Sequence, residues 1–217
     1  MRVEPMKNLK IIAAVFVVFG ALFVGFNFLQ NKNKPVAISA TSIPVPYEIS
    51  DFHLTTAEGK DFTRQNLLGK YTVLFFGFTR CPDVCPTTLA QFKVEIPKLS
   101  KEAHENVQFL LVTVDPEHDT QDILKHYVGT FSSEIQAATG SIAEIHKVAD
   151  AMKTTFSKEE ENAGDPNLYM MAHSPRYFII DPQARLSAVY NPPIASGVLS
   201  ADLNALTAAS FKTRGIF

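Results

Sequence analysis

Cysteine is nearly absent from this sequence: 217 residues contain two, Cys81 and Cys85. Two thiols form at most one internal disulfide, and by themselves they leave a metal ion short of ligands. Internal repeats and low-complexity blocks are also missing, which excludes a repeat array. There is no basic excess over most of the chain. Of 20 Lys+Arg and 22 Asp+Glu, five basic and one acidic residue lie in positions 1–34, so the remainder has 15 basic and 21 acidic groups and a formal charge of −6. That balance argues against nucleic-acid binding, which needs a basic face. The Ser- and Arg-rich composition of a mitochondrial presequence is absent as well.

What the chain does have at its start is apolar length. From Ile11 to Leu29 the sequence reads IIAAVFVVFGALFVGFNFL, without a charge and with Asn27 as its one strongly polar residue. At about 1.5 Å per residue this spans about 28 Å, close to the roughly 30 Å hydrocarbon layer of a bilayer. A cleaved signal peptide is the rival reading, but its apolar region usually runs about 7–15 residues. The small-residue stretch AISA, residues 37–40, also comes well after the apolar run. The expected organisation is a short tail over 1–10, a transmembrane anchor over 11–29, a polar, proline-spaced tether over 30–46 and one domain over 47–217. Arg2, Lys7 and Lys10 precede the span while Lys32 and Lys34 follow it. This lean of positive charge points to a cytoplasmic N-terminus and an exported domain, as in a single-pass protein of a bacterial inner membrane.

Within the domain, strand-like and helix-like segments alternate. DFHLTTAEGKDFTRQNLLGK reads as two short strands around a Glu58-Gly59 turn, and YTVLFFGF (71–78) as a buried strand. A helix is expected from about Pro86, since proline suits a first helical turn. VQFLLVTV (107–114) is a second buried strand, followed by a helix beginning after Asp119. SIAEIHKVADAM (141–152) is helical, with Ile142, Ile145, Val148 and Ala149 at core spacing. PRYFIID (175–181) and LSAVY (186–190) are strands around a turn, and SADLNALTAA (200–209) closes the chain as a helix. This order predicts an α/β fold, a mixed central sheet with helices on both faces. With the cysteine pair where the first buried strand gives way to a helix, the pattern looks thioredoxin-like.

At that junction, unpaired backbone N–H groups and the positive end of the helix favour thiolate over thiol. A four-residue spacing lies near one helical turn and brings both sulfurs to one side. The segment TRCPDVCPTT is polar and rich in proline, unlike the setting of inert core cysteines. A disulfide there would close too small a loop to add much stability. Either a redox pair or two thiolates converging on an ion fits.

Histidine is the usual supplement to such a pair. His53, His104, His118, His126 and His146, taken singly, read as surface or otherwise satisfied side chains. His173 differs by position: it lies in YMMAHSPRYFIID, in the loop before the sheet resumes. In a thioredoxin-type fold that loop runs beside the cysteine turn.

The blocks GFTRCPDVCPTTL, VTVDPEHDT and AHSPRYFIIDP occur in the order and context of the Sco (SenC-type) copper chaperones, and the domain resembles that family over essentially its whole length. The resemblance implies a membrane-anchored, thioredoxin-like domain outside the cytoplasm that binds one copper, Cu(I) or Cu(II), through Cys81, Cys85 and His173. It also implies a role in assembling the dinuclear copper centre of cytochrome c oxidase subunit II, by donating copper, reducing the target's cysteines, or both. The partners implied are that subunit and a copper donor protein or thiol reductant. The sequence departs from the family's usual DHS, because Ala172 stands before His173 where an Asp is common. Asp83 is read either as a group supporting the site or docking a partner, or as a plain helix-start carboxylate. Asp115 and Asp119 are read as turn and helix-cap residues rather than ligands, and of Met170 and Met171 one is expected in the core. The main competing reading is a thiol–disulfide oxidoreductase or peroxide-defence protein using the same cysteines without copper. A structural zinc module ranks last, because two Cys and one His leave a fourth position unassigned.

Overall fold

The structure, a computed structural model, describes residues 15–16, 18–20, 38–160 and 169–214. In chain order its elements are β1 (Thr41–Glu48), β2 (His53–Thr56), β3 (Asp61–Thr63), β4 (Tyr71–Gly77), α1 (Val84–Glu95), α2 (Lys101–Asn106), β5 (Val107–Thr113), α3 (Gln121–Gly129) and β6 (Ile135–Thr139). They continue with α4 (Ile142–Ala151), β7 (Phe156–Glu160), β8 (Tyr169–His173), β9 (Tyr177–Ile180), β10 (Arg185–Tyr190) and α5 (Val198–Arg214).

The two continuous apolar runs of the sequence become neighbouring parallel strands. Every residue of β4 and β5 is buried, and they pair in register from Tyr71 with Val107 to Gly77 with Thr113. Strands covered on both faces have no polar side to show, which is why they read as unbroken apolar stretches. β6 extends the parallel centre from β5. The antiparallel strands β9, β10 and β1 continue beyond β4, and β2 and β3 beyond β6, giving the order β1-β10-β9-β4-β5-β6-β2-β3. Among the described residues, β7 and β8 pair only with each other, as a separate two-stranded sheet.

Several expectations change. Residues 41–46, expected in the tether, belong to β1, which pairs with β10 through Thr41–Val189 and Glu48–Arg185. Most of its side chains are exposed, so an edge strand here carries a composition like that of a linker. β6, IQAAT, escaped notice because alanine and glutamine are weak strand formers. Ile142 is exposed instead of facing the core, while Ile145, Val148 and Ala149 are buried as their spacing predicts. Asp119 does not cap α3; Thr120 does, accepting from the Ile123 N–H. Most of the expected anchor lies outside the described residues. Within it, residues 15–16 and 18–20 are helical, and among the described residues no helix is long and apolar enough to cross a membrane.

A buried carboxylate ties α1 to α5. Glu95, fully buried, accepts from Lys98 Nζ (2.8 Å), the Gly197 N–H (2.7 Å), and the Ser200 N–H (3.1 Å) and hydroxyl (2.7 Å). Burial works against its charge, but the Lys98 ammonium and the donors at the start of α5 outweigh it and hold the carboxyl down at about 2. Glu95→Ala removes the acceptor shared by the Gly197 and Ser200 amides and by Lys98, and is expected to reduce unfolding free energy by about 3 kcal/mol in urea titrations. A folded-state value below the ordinary 4.5 means the contribution is complete above that pH and is lost as pH falls through about 2. A Glu95→Ala protein as stable as the wild type at pH 7 would overturn this account.

Candidate metal and thiol site

The cysteine loop leaves the carboxyl end of β4 and is tied down on the β5 side. The Val114 N–H donates to the Gly77 carbonyl (2.9 Å), and the Cys81 N–H to the Phe78 carbonyl (3.3 Å). Asp119, fully buried, accepts from the Thr79 N–H (3.1 Å), the Thr79 hydroxyl (2.5 Å) and the Thr113 hydroxyl (2.6 Å). Burial pushes its carboxyl up, and those three donors pull the other way. Asp115 accepts from Arg80 (3.1 Å) and from the Tyr169 hydroxyl (2.8 Å). The two aspartates of VDPEHDT thus hold the residues just before Cys81.

Cys85 lies in the first turn of α1 and is fully buried, whereas Cys81 is half-buried. Both are free thiols. Gly77 lets Cys85 sit where it does: a Cβ at this position would lie 3.0 Å from the Cys85 sulfur and 2.7 Å from the Phe75 ring. The glycine inside FFGF was the sequence signal for this close approach.

His173 is the last residue of β8, paired across the hairpin with Phe156, and not part of a loop as expected. Its ring packs in T-shaped contact with Phe75 and Phe78, each with centroids 5.8 Å away. Nδ1 lies 3.1 Å from the Ser174 carbonyl, to which it donates, leaving Nε2 as the lone-pair nitrogen facing the Cys85 sulfur at 3.6 Å. A backbone carbonyl therefore orients the imidazole in a chain with Ala172 where a carboxylate was expected. Donor atoms of Cys81, Cys85 and His173 all lie within 4.8 Å of one another, the one such group of three among the described residues.

The remaining candidates stay outside it. His53 pairs with Asp61 (3.1 Å), His104 with Glu134, and His146 stacks on Phe156 at 4.3 Å. Among the described residues, His118 and His126 join no metal-competent group. Asp83 stands at the start of α1, as the helix-start reading has it: its side chain is exposed and makes no capping hydrogen bond, while its backbone carbonyl accepts from the Thr87 N–H (3.1 Å). Met171 is buried and Met170 half-buried. Phe75, Phe78 and Tyr169 were missed, because no local pattern marks a residue that touches a site only in three dimensions.

The two thiols differ electrostatically. The Cys85 S–H is the main influence holding Cys81 down at about 5; burial opposes it, and the Cys85 and Asp83 amides assist, the former 3.4 Å from the sulfur. Cys85 is pushed up, chiefly because its proton is shared with Cys81 and also by burial. At neutral pH the pair is one thiolate and one thiol. In the reduced metal-free protein, iodoacetamide is expected to alkylate Cys81 with a pH midpoint near 5 and to spare Cys85 until unfolding. Gly77→Ala, by displacing Cys85, is expected to move that midpoint up towards the ordinary thiol range. A midpoint between 8 and 9 in the wild type would overturn the assignment.

Comparison with known proteins places this geometry. The SCO1/SenC family model matches residues 41–208. The mitochondrial protein SCO1 of Saccharomyces cerevisiae is 31% identical over 178 residues, covering 81% of this chain and 60% of that protein. The chain spans 44, 41 and 60% of the length of three mitochondrial relatives. Among solved structures, copper-bound ScoI of Bradyrhizobium japonicum is 32% identical with a TM-score of 0.66, covering 73% of this chain and 99% of that one. Apo Sco1 of Thermus thermophilus is 32% identical with a TM-score of 0.70, covering 78% and 97%. The fold is thioredoxin-like α/β. Since the match runs from the first strand into the last helix, the chain belongs to the SCO1/SenC family.

Proposed function

We propose that this domain carries one copper ion on Cys81, Cys85 and His173 and delivers it during cytochrome c oxidase assembly, to the dinuclear copper centre of subunit II. The observation that carries the reading is the convergence of two sulfurs and an imidazole Nε2 within 4.8 Å. Soft thiolates select Cu(I), and imidazole suits copper in either oxidation state. The presence of copper in the Bradyrhizobium japonicum relative supports the same cargo here. With Cys81 already a thiolate, loading displaces one proton, from Cys85. Cys85 is buried beneath the site and Cys81 is partly open, so a partner's ligands reach the ion from the Cys81 side.

The partners follow from this reading: subunit II, a copper donor or thiol reductant upstream, and a bacterial inner membrane holding the N-terminal segment with the domain in the periplasm. A family lipoprotein from Bacillus anthracis among the solved structures supports membrane association. Asp83, exposed between the cysteines, is assigned to partner docking. The depressed Cys81 value favours a second activity of the same pair. In it, the Cys81 thiolate attacks a partner disulfide, Cys85 resolves the mixed disulfide, and two electrons pass to the partner as the Cys81–Cys85 bond forms.

Titration of the reduced domain is expected to give one Cu(I) per chain, and Cu(II) a visible thiolate charge-transfer band. His173→Ala is expected to weaken Cu(II) binding at least about tenfold, and either Cys→Ser to abolish it. Unchanged affinity and spectrum in His173→Ala would sink the three-ligand site, whereas rapid reduction of a protein disulfide by metal-free His173→Ala would support the oxidoreductase activity.

A further inference from the structure

The imidazole is carried by a structural element with little support of its own. β7 and β8 form a two-stranded sheet that hydrogen-bonds to no strand of the main sheet, and isolated two-stranded ribbons are at best marginally stable in water. What fixes His173 must therefore come from contacts between this hairpin and the body. Met171 supplies one by burial, and Phe156 another by stacking on His146. A third contact leads directly to the cysteine loop. On β8, Tyr169, Met171 and His173 alternate onto one face, with Tyr169 about 13 Å from His173. The Tyr169 hydroxyl donates to both carboxylate oxygens of Asp115, at 2.8 and 2.9 Å. The Arg80 guanidinium lies over the Tyr169 ring, 4.2 Å from its centroid, and also donates to Asp115 at 3.1 Å. Lys158, diagonally across the hairpin, places its ammonium 3.9 Å from the same centroid.

We propose that Tyr169 is the positioning residue for the histidine ligand: its bond to Asp115 and its stacking with Arg80 lock the hairpin to the loop bearing Cys81, and so hold the His173 nitrogen over the sulfurs. Arg80 is adjacent to Cys81 and Asp115 lies where the chain leaves β5, so one phenol joins three segments that converge on the site. Burial and the neighbouring Asp115 push the phenol up to about 12, so it keeps the proton it donates throughout the physiological range. Cation–ring contacts of this kind contribute modestly at exposed positions and more when desolvated. The hydroxyl supplies a directional constraint, because it ties the strand to a carboxylate that Arg80 also holds. In this arrangement the strength with which the ion's third ligand is held depends on a side chain that never touches the ion. The metal-binding part of this inference rests on the proposed copper-carrying function; the positioning of the ring does not.

Tyr169→Phe removes the hydroxyl and keeps the ring for Arg80 and Lys158. In the reduced, metal-free domain the His173 ring protons of the wild type are expected to be shifted by the neighbouring Phe75 and Phe78 rings, and in Tyr169→Phe to move towards the values of a free histidine, with a thermal midpoint within a few degrees of the wild type. With Cu(II) bound, the variant is expected to lose nitrogen hyperfine coupling from the imidazole and to release the ion about tenfold faster, the effect of losing one hydrogen bond of about 1.4 kcal/mol. Asp115→Ala, a second route to the same lesion, is expected to shift the His173 protons in the same direction. In a His173→Ala background, Tyr169→Phe is expected to change neither spectrum nor release rate, because the tyrosine acts through that histidine. Wild-type ring shifts and wild-type release in Tyr169→Phe would overturn the proposal, as would an equal loss in the His173→Ala background. A wild-type domain that takes up no copper would defeat the carrier reading, while the ring shifts of the metal-free proteins would still decide the role of Tyr169.

Discussion

The contact between the Cys85 sulfur and His173 Nε2, 3.6 Å across 88 positions of sequence, is the constraint on which the site depends. Neither partner reaches the other by local geometry. Cys85 is set by the turn from β4 into α1, and it fits because Gly77 has no side chain to collide with its sulfur. His173 is set by the end of a hairpin outside the main sheet, with its ring against Phe75 from β4 and Phe78 from the cysteine loop. The parallel pair β4–β5 is the rigid base for both, and the loops at its carboxyl end carry the polar groups that tie the site together.

Those polar groups are doubly used. Asp119 takes the Thr79 and Thr113 hydroxyls into a buried cluster that fixes the loop, and Asp115 joins Arg80 and Tyr169. Burial opposes the Cys81 charge, yet this thiol stays well below an ordinary one because the Cys85 S–H and two backbone amides face it directly. Direct donors at hydrogen-bond distance outweigh the cost of partial burial. The result is a pair with unequal burial and unequal protonation, open on the side of Cys81 and closed under Cys85. A pair of this kind suits ion exchange with a partner, and it equally suits attack on a partner's disulfide.

Much of this was legible from residue order alone. YTVLFFGF and VQFLLVTV announced buried strands because both their faces are covered, and CPDVCP announced a strand–helix junction through its prolines. β1, β6 and the β7–β8 hairpin were not legible, for different reasons. β1 is an exposed edge strand, and β6 is built on alanine packed against β5. β7 and β8 pair only with each other among the described residues, so no alternation against the main sheet marks them in the sequence. Asp115 opens the turn expected of it, its carbonyl accepting from the His118 and Asp119 N–H groups, but side-chain partners of Asp115 and Asp119 such as Thr79, Arg80 and Tyr169 lie 35 to 54 positions away and leave no local mark.

By itself the sequence determined the strand and helix types with strong periodicity, the reactive nature of the cysteine pair and the histidine best placed to join it. Such properties follow from local spacing, apolar coverage and the chemistry of each side chain. Tertiary structure alone decided which ring nitrogen faces the sulfurs, which cysteine keeps the proton, and that a tyrosine and two aspartates hold the elements in place. Each of those depends on distances between segments far apart in the chain, and spacing along a sequence has no information about them.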